Sequence, residues 1–431
     1  MSFEIKDIVE ENMCIGCGLC VSESQSSSMV WNESGFLVPD TTKKFSEDAI
    51  KLCPFNPEPE ADVFDEDKLA NLYLPNSKNR DDRIGRYEST YIGYSNQFRK
   101  TSSSGGIATF IFEQLLEQKI VDHLFVVKEV AGTYKYQWFD NIKEIKNMSK
   151  TRYIPVTLER LFREIDGKEG KVAVSGVACF VKAIRLKQYY YPQYRDKIPF
   201  IVGIICGGFK SKFFTDYLTQ KSGIEGDYKN QEYRIKDKDS LASDYSFGAY
   251  DKNNNFHQLK MRNVGDMWGT GLFKANACDF CDDVTTELAD ISLGDAWLPE
   301  YKKDGLGNSI IITRNTIANE LIEKGKLANL LTIDVVSKEK IIQSQKGSFT
   351  HRQDSIFFRK KIAGVKLKKR IKFKKKIKLS YKLVQVSRRM VRRKSLAIWK
   401  LNKNASIFNK KMKYYLFILK VATKINHKIR K

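Results

Sequence analysis

Cysteines are the residues of this 431-residue chain whose spacing most directly indicates chemistry, and four of them lie near the N-terminus. Cys14, Cys17 and Cys20 form the tight loop CIGCGLC, and Cys53 stands directly before a proline. A Cys-x2-Cys-x2-Cys loop places three thiolates around an iron–sulfur cluster, and in the two-cluster ferredoxin pattern a Cys-Pro from the other half completes the set. Ser24 replaces the cysteine that would serve a second cluster. We therefore predict one [4Fe–4S] cluster held by Cys14, Cys17, Cys20 and Cys53.

The alternative for this first cysteine set is a structural zinc site, which usually uses two separated Cys-x2-Cys knuckles. The triplet favours iron. A second cysteine set consists of Cys179, Cys206, Cys278 and Cys281. Its last two members form another Cys-x2-Cys loop, and the first two follow predicted strands. From spacing alone, a second cluster and inert buried thiols are equally open.

Predicted strands and helices alternate from about residue 87 onward, which is typical of an α/β fold. The expected fold is an α/β (α+β) body, preceded by a small ferredoxin-like domain and followed by a basic helical tail. Cys179 and Cys206 would then lie at the carboxyl ends of strands, where open α/β sheets bind ligands. The strands are predicted over residues 120–127, 171–176, 199–206 and 309–315, and the helices over 107–119, 157–165 and 180–188.

A loop of small residues, Ser102-Ser103-Ser104-Gly105-Gly106, precedes the first of these helices. Free backbone N–H groups at a helix start can bind an anion, and glycines allow a ligand to approach closely. The sequence alone favours the simpler interpretation, a serine-capped helix with a glycine turn. No GxGxxG motif supports a Rossmann dinucleotide site. The four histidines, which lie outside the cysteine-rich loops, receive no metal role: His123, His257, His351 and His427.

Charge is distributed unevenly along the chain. Of the 75 Lys and Arg residues, 28 lie between Arg359 and Lys431, where there is no Asp or Glu, so the first 354 residues carry 47 basic residues against 51 acidic ones. Lysine clusters alternate there with apolar residues, as in KLKKRIKFKKKIKLSYKLV. This pattern predicts an amphipathic tail that binds an anionic membrane surface. Nucleic acid is the rival partner and ranks second, and a solvated tail is the third interpretation.

The N-terminus carries acidic residues and has no signal-peptide pattern, and no apolar run is long enough to span a bilayer. We therefore expect a cytoplasmic protein that is peripheral at the inner face of the cell membrane. In a reducing cytosol, clustered cysteines indicate metal or redox chemistry rather than disulfides.

Several stretches, in this order, resemble the coenzyme F-420 hydrogenase/dehydrogenase beta-subunit family: SSSGGIATFI, TRYIPV, VSGVACFVKAIR, GIICGGFKS, CDFC, ADISLGDAW and DGLGNSIIITR. The resemblance spans roughly residues 85–320. With its N-terminal cysteine loop, the chain resembles a branch of the family that has a ferredoxin-like head and is found among bacterial surface-polysaccharide genes. It implies five segments: a ferredoxin-like domain (1–56), a linker (57–85), the family's N-terminal-type (86–165) and C-terminal-type (166–354) domains, and the basic tail (355–431), which the catalytic body is not expected to need.

The resemblance implies an iron–sulfur flavoprotein with two [4Fe–4S] clusters and FAD. It assigns the second cluster to Cys179, Cys206, Cys278 and Cys281. The residues expected near the flavin or substrate are Ser103, Ser104, Gly105, Gly106, Tyr153 and Asp295, with Arg152 and Trp297 as further neighbours.

This chain departs from the family pattern beside the second cysteine set. Val177-Ala178 replaces Thr-Pro, Phe180 replaces Gln, and Cys206-Gly207-Gly208 replaces Cys-His-Gly, with Lys210 in place of a proline. The four thiols remain, so the prediction of a cluster is unchanged. The departures leave the substrate, and use of the deazaflavin, open.

The function predicted is an oxidoreductase that passes electrons from a reduced carrier, ferredoxin-like or deazaflavin-like, through two clusters and FAD to a small substrate. A role in surface-polysaccharide synthesis follows from the resemblance only. One alternative is a non-catalytic electron-transfer subunit that feeds a partner reductase, with clusters but no flavin. Another is a zinc-stabilised adaptor for a membrane or nucleic acid. The catalytic residues are not identified.

Overall fold

The computed structural model describes residues 3–148, 150–364 and 372–430. Within these residues, strands are found from the N-terminal region to residue 335. The strands are β1 Met29–Trp31, β2 Leu37–Pro39, β3 Asn79–Asp81, β4 Gly85–Tyr87, β5 Ser89–Ser95, β6 His123–Val130, β7 Thr133–Phe139, β8 Val172–Val177, β9 Phe200–Ile204, β10 Tyr228–Ile235, β11 Ser246–Asp251, β12 Phe256–Lys260, β13 Ile291–Asp295, β14 Ser309–Thr313 and β15 Leu331–Val335.

The α-helices connect and cover these strands and also form most of the C-terminal region. They are α1 Ile5–Glu10, α2 Glu66–Tyr73, α3 Ile107–Glu117, α4 Leu161–Glu164, α5 Ala178–Tyr190, α6 Tyr194–Lys197, α7 Lys212–Lys221, α8 Pro299–Lys302, α9 Thr316–Leu327, α10 Lys338–Ser344, α11 Lys346–Phe349, α12 Ile356–Ala363, α13 Leu379–Asn402 and α14 Ala405–Arg430.

A mixed eight-stranded sheet organises the body, in the order β15-β5-β14-β13-β9-β8-β6-β7. Its central strands β13, β9, β8 and β6 are parallel, and antiparallel strands flank them on both sides. Because the central strands run in one direction, the chain leaves β8, β9 and β13 at the same edge of the sheet. This edge carries Cys179, Cys206 and Asp295, and it is therefore where the candidate site lies.

Both faces of the sheet are covered, which explains why its central strands are apolar. On one face, α3 and α9 pack through residues such as Phe110, Ile111 and Leu321. On the other face, α5 packs through Val181 and Ile184. A separate three-stranded antiparallel sheet, β10-β11-β12, lies beside this body.

The strands and helices predicted in the body are largely confirmed, with shifted ends. The run 199–206 forms β9, a buried strand parallel to both neighbours. The strand predicted over 120–127 begins at residue 123 and continues to 130. The helix predicted over 157–165 is reduced to the single turn α4 and a following 3-10 turn. Its first residues instead hold the first cysteine loop, because Leu158 N donates to Cys17 O at 2.9 Å.

The N-terminal region packs directly on the body. Residues 3–56 contain α1, the β1–β2 hairpin and 3-10 turns. The ferredoxin-like fold of this region stays a prediction. The segment expected to be a linker, 57–85, contains α2, which packs on α5, and Tyr73 Oη donates to Arg185 O at 2.8 Å.

The C-terminal helices are part of the core, contrary to the expectation that the body does not need them. Trp399 of α13 is 1% exposed and lies between the rings of Tyr217, Phe273 and Phe408. Helices α13 and α14 form an antiparallel hairpin that buries this apolar seam against α7. The predicted helical character is confirmed. Residues 365–371 of the predicted tail lie outside the described residues.

No helix among the described residues is long and apolar enough to cross a membrane.

Candidate functional site

The first cysteine set converges at the N-terminal loop. Cys14, Cys17 and Cys20 lie on the turn that follows α1, and Cys53 ends the 3-10 turn over residues 47–52. Burial raises the pKa of Cys20 well above its usual value, and the neighbouring thiols of Cys17, Cys14 and Cys53 raise it further. Burial likewise raises the pKa of Cys14 to about 12. Buried, clustered thiols of this kind are a donor set that a cationic metal centre would stabilise as thiolates.

Two glycines shape this loop. Gly16 and Gly18 have φ angles of 72° and 80°, in the left-handed region that favours glycine. A Cβ atom on Gly16 would lie 2.7 Å from Leu37 O. Ser24, at the position of the missing cysteine, donates to Lys44 O at 2.7 Å. That serine therefore stabilises the loop by a hydrogen bond where the ferredoxin pattern has a metal ligand.

The second cysteine set lies at the carboxyl edge of the large sheet. Cys179 follows β8 at the start of α5, Cys206 follows β9, and Cys278 and Cys281 come from the loop before β13. These four thiols line one cavity. Burial raises the pKa of Cys179, and the thiols of Cys281, Cys278 and Cys206 raise it further. The sheet thus brings together four cysteines that are up to 102 residues apart in sequence.

Hydrogen-bond donors surround the sulfur atoms of the second set. Gly208 N donates to Cys206 Sγ at 3.3 Å, and Phe209 N donates to Cys278 Sγ at 3.1 Å. Arg352 Nη2 donates to Cys281 Sγ at 2.7 Å. Such hydrogen bonds to ligating sulfurs are one of the factors that set the potential of an iron–sulfur cluster.

Sequence reasoning missed the residues that close this cavity from the C-terminal side. His351 and Arg352 line it, although they lie about 70 residues beyond Cys281 in the sequence. Lys274 also lines it and pairs with Asp279, with 2.6 Å between Nζ and Oδ1. Arg392 of α13 contacts the other carboxylate oxygen of Asp279 at 2.9 Å. No local motif marks these residues, because only the return of the chain onto the sheet places them there.

The two cysteine sets are adjacent. Ile15, from the first cysteine loop, and Phe55, two residues after Cys53, line the cavity of the second set. Cys17 is one of the groups that raise the pKa of Cys179. One cysteine of each set, Cys17 and Cys281, belongs to the same hydrophobic cluster. This arrangement fits two redox centres that exchange electrons.

In the described part of the chain, no group of three or more Cys, His, Asp or Glu side chains is close enough to chelate a single metal ion. The ligands of a zinc ion all lie about 2.0–2.3 Å from one atom. Thiolates around a four-iron cluster do not need that closeness, because each binds a different corner of the cluster. The chemistry of the donors, four cysteines in each set, fits two such clusters.

A large cleft opens beside the second cysteine set. It has a volume of about 910 Å³, which is within the range of cofactor sites. The Ser102–Ser104 loop, Gly106, the segment 151–154, Arg234, Asp295 and Trp297 line it. Residues 206–209 line both this cleft and the cavity of the second cysteine set. The cleft and the cysteines are therefore separated by a single layer of chain.

The helix start in this cleft has no serine cap. Gly106 is the N-cap of α3, with φ at 80° and no side-chain hydrogen bond to the helix. A Cβ atom on Gly106 would lie 2.7 Å from the carbonyl carbon of Phe98. Ser103 instead accepts from Thr151 N at 2.8 Å, and Ser104 donates to Asn308 O at 3.3 Å. The serine-capped helix favoured by the sequence alone is therefore wrong, and the helix start remains suited to an anion.

Several buried polar atoms along the cleft have no protein partner. They are Ser102 Oγ, Arg152 Nε and Arg234 Nε. The other end of the Arg234 guanidinium contacts Asp295 Oδ1 at 2.6 Å. Burial lowers the pKa of Arg152. Unsatisfied buried donors are rare in folded proteins, so these atoms indicate a polar ligand, and their chemistry fits the phosphates and ring edges of FAD.

The structure brings together most of the residues expected at the flavin. Ser103, Ser104, Gly106, Tyr153 and Asp295 line the cleft, as do Arg152 and Trp297. Tyr153 packs against Trp268, with 4.7 Å between ring centroids. Gly105 lies behind the loop, because a Cβ atom there would be 2.6 Å from Gly93 O.

Lys210, which replaces the family's proline, also lines the cleft and donates to Met267 O and Leu272 O. Burial lowers its pKa to about 7.

Two family models match the chain consecutively. The model for the N-terminal part of the coenzyme F420 hydrogenase/dehydrogenase beta subunit matches residues 90–163, and the model for the C terminus of the same beta subunit matches residues 169–339. Together they cover more than half of the chain. This chain belongs to the coenzyme F420 hydrogenase/dehydrogenase beta-subunit family. The matched ranges contain the whole second cysteine set, whereas the first set, His351 and Arg352 lie outside them.

Relatives within this family are oxidoreductases or their subunits. The chain is 27% identical over 285 residues to the coenzyme F420 hydrogenase subunit beta of Methanosarcina barkeri, covering 62% of this chain and 92% of that protein. It is 22% identical over 353 residues to a coenzyme F420-dependent sulfite reductase of Methanocaldococcus jannaschii, covering 78% of this chain. The chain spans about half (50%) of that reductase's length.

The fold is also similar to that of a solved structure. A chain of the F420-reducing [NiFe] hydrogenase complex of Methanosarcina barkeri superposes with a TM-score of 0.51 at 22% identity. The match covers 68% of this chain and 99% of that chain. At this identity, the similarity shows the fold alone.

Proposed function

We propose that this member of the beta-subunit family is an iron–sulfur flavoprotein oxidoreductase. It passes electrons from a reduced carrier, such as a ferredoxin or a deazaflavin, through two [4Fe–4S] clusters and FAD to a small substrate. When bound, the clusters would carry single electrons and the flavin would convert them into two-electron chemistry. The resemblance to the branch with a ferredoxin-like head is the basis for extending this proposal to surface-polysaccharide synthesis at an anionic membrane surface.

The observation that carries the proposal is the shared wall of residues 206–209. On one side this wall presents Cys206 to the cavity of the second cysteine set, and on the other side it faces the 910 Å³ cleft. The first cysteine set reaches the same cavity through Ile15 and Phe55. First set, second set and cleft are thus three successive neighbours, which is the arrangement that stepwise electron transfer requires.

The residues of the chain divide the work in this proposal. The eight cysteines hold the clusters, and Arg352 holds a positive charge against Cys281 Sγ. The start of α3 and the unpartnered donors of Arg152 and Arg234 bind the anionic part of FAD. Lys236 fixes the serine loop, because its Nζ donates to Ser104 O at 3.1 Å and to Leu306 O at 3.0 Å. Tyr153 and Trp268 form an aromatic wall for a ring system.

The proposal is tested by purifying the full chain without oxygen and measuring iron, acid-labile sulfide, zinc and flavin in the same sample. We expect about eight irons and one flavin per chain. Zinc in the absence of iron and flavin would refute the proposal and favour the zinc-stabilised adaptor. Iron with no flavin, even after incubation with FAD, would favour the electron-transfer subunit that feeds a partner reductase.

A further inference from the structure

Helix α14 exposes an apolar stripe on the side that does not pack on the body. The stripe consists of Tyr414, Phe417, Val421, Ile425 and Ile429, which recur at intervals of three and four residues. Their exposed fractions lie between 38% and 66%. Residues at these intervals lie on one face of a helix. We call this face the α14 stripe.

The opposite face of α14 already has a partner. Phe408, Met412, Leu419 and Ala422 are at most 7% exposed and belong to the apolar seam with α13 and α7. The helix therefore has two apolar faces, and its fold uses only one of them. A large exposed apolar strip on a folded helix is typical of an interaction surface rather than of a solvated face.

Lysines accompany the α14 stripe. Lys410, Lys413, Lys420, Lys424 and Lys428 are exposed, and α14 contains no Asp or Glu. In the described residues, none of these five lysines forms an ion pair with a carboxylate. The sequence contains no acidic residue after Asp354. The helix that carries the stripe is therefore strongly positive and contributes no acidic side chain of its own.

From this combination we infer that α14 lies in the interface of an anionic phospholipid membrane, with the α14 stripe buried among the lipids and the lysines at their phosphates. The inference deepens the membrane location included in the proposed function. Lysine side chains can extend from a partly buried helix to the headgroups, so charge and apolar burial act together. Because α14 is not long and apolar enough to span a bilayer, it would lie parallel to the surface.

Other occupants fit the surface less well. A nucleic acid would neutralise the lysines but would gain nothing from burying Phe417 or Ile425. A second copy of the chain would bring one lysine-rich helix against another, and like charges would oppose that contact. An anionic lipid surface matches both the charge and the apolar residues. Its attraction for each lysine near the surface corresponds to about fivefold in binding.

The test uses the full-length holoprotein and sedimentation with vesicles. Vesicles of phosphatidylglycerol with phosphatidylcholine should bind the protein, and vesicles of phosphatidylcholine alone should bind it far more weakly. Phe417→Ser with Ile425→Ser should weaken binding at least about tenfold. Lys413→Gln, Lys420→Gln and Lys424→Gln together should weaken it roughly a hundredfold. The matched control, Leu241→Ser with Leu327→Ser, changes two leucines of the body that are 52% and 81% exposed, and should bind like the unchanged protein.

Specific outcomes would overturn the inference. One is vesicle binding that the stripe variants and the control reduce equally. A second is a stripe-dependent dimer in solution, which would assign the α14 stripe to a second copy. A third is binding to duplex DNA that requires the lysines while vesicle binding is absent. Iron and flavin are measured on every sample. If the unchanged protein contains both cofactors but does not bind anionic vesicles, only this inference is contradicted. If the unchanged protein binds the vesicles but contains neither iron nor flavin, only the oxidoreductase proposal is contradicted.

Discussion

At the scale of single residues, the second cysteine set combines thiols with nearby positive charge. Arg352 donates to Cys281 Sγ, Cys206 O and Asp283 O, so its guanidinium is fixed in place. Reducing a cluster adds negative charge, and a fixed cation beside a sulfur ligand favours that reduced state. We therefore expect Arg352 to act on the potential of the proposed cluster through its charge, separately from metal binding.

We predict that Arg352→Gln lowers the midpoint potential of one cluster by about 60 mV, which corresponds to about 1.4 kcal/mol in a one-electron couple. Arg352→Lys keeps the charge and should give a smaller shift. The measurement is a redox titration followed by electron paramagnetic resonance. Arg80→Gln, on an exposed side chain, is the control. Equal potentials in all variants, with full iron content, would contradict a role for Arg352.

The partition of the cysteines gives a second prediction at this scale. Cys53→Ser should remove about half of the iron, because it takes away one ligand of the first cluster only. Cys281→Ser should remove the other half. Iron and sulfide analysis of the two variants, and of the double variant with neither cluster, measures this directly. If Cys53→Ser keeps all of its iron, the pairing of Cys53 with the CIGCGLC loop is wrong.

At the scale of elements, the start of α3 and the α13–α14 hairpin matter most. The start of α3 depends on a glycine in the left-handed region, and the hairpin depends on an aromatic seam. The first shapes the cleft, and the second holds Arg392 against Asp279 beside the second cysteine set. Both elements can be changed at one residue without touching a cysteine.

Gly106→Ala should lower the flavin content while leaving the iron content unchanged. The new Cβ atom would lie within 3 Å of Phe98 and would disfavour the positive φ by about 1 to 2 kcal/mol. Gly167→Ala is a matched control, because that glycine has no atom within 4 Å of an added Cβ. Flavin absorbance and iron analysis of the two purified variants distinguish the cases. Equal flavin content in both would show that the helix start does not contact the cofactor.

Trp399→Ala should lower the free energy of unfolding by about 3 to 5 kcal/mol, because it opens a cavity in the core. Leu401→Ala, two residues away and 80% exposed, should change it little. Urea denaturation followed by far-ultraviolet circular dichroism compares the two variants. A tryptophan variant as stable as the leucine variant would indicate that α13 is dispensable for the body.

At the scale of the whole molecule, the two cysteine sets and the sheet form a single unit. Cys17 of the first set and Cys281 of the second belong to one hydrophobic cluster, which also contains residues of α5. Burial raises the pKa of Cys14 in the first set and of Cys179 in the second, so a bound metal centre would be needed to hold these thiols as thiolates at neutral pH. Binding of the proposed clusters and stability of the body should therefore be linked.

Removal of the iron should lower the temperature at which the entire body unfolds, rather than melt the N-terminal region alone. Thermal unfolding of the protein before and after treatment with an iron chelator, followed by circular dichroism and by tryptophan fluorescence, checks this. The two signals should shift together. A shift in only one of them would mean that the N-terminal region unfolds independently of the sheet.

The parts of this protein that depend on neighbouring residues could be predicted from the sequence. The CIGCGLC triplet and the apolar run of β9 are local patterns, and local geometry decides them. The ordered series of motifs was enough to indicate the family, and all eight cysteines were found as candidates. The acid-free C-terminal region was likewise visible from composition.

Features that depend on distant contacts became clear only from the tertiary structure. It placed His351 and Arg352 beside Cys281, it showed that the serines do not cap α3, and it made α13 a core helix. The physical reason is that a helix with two apolar faces and many lysines has the same local pattern on a body as on a membrane. Which face of α13 is buried depends on the contacts of Trp399 with the aromatic rings of Tyr217 and Phe273. These two residues are more than 120 residues away from Trp399 in the sequence.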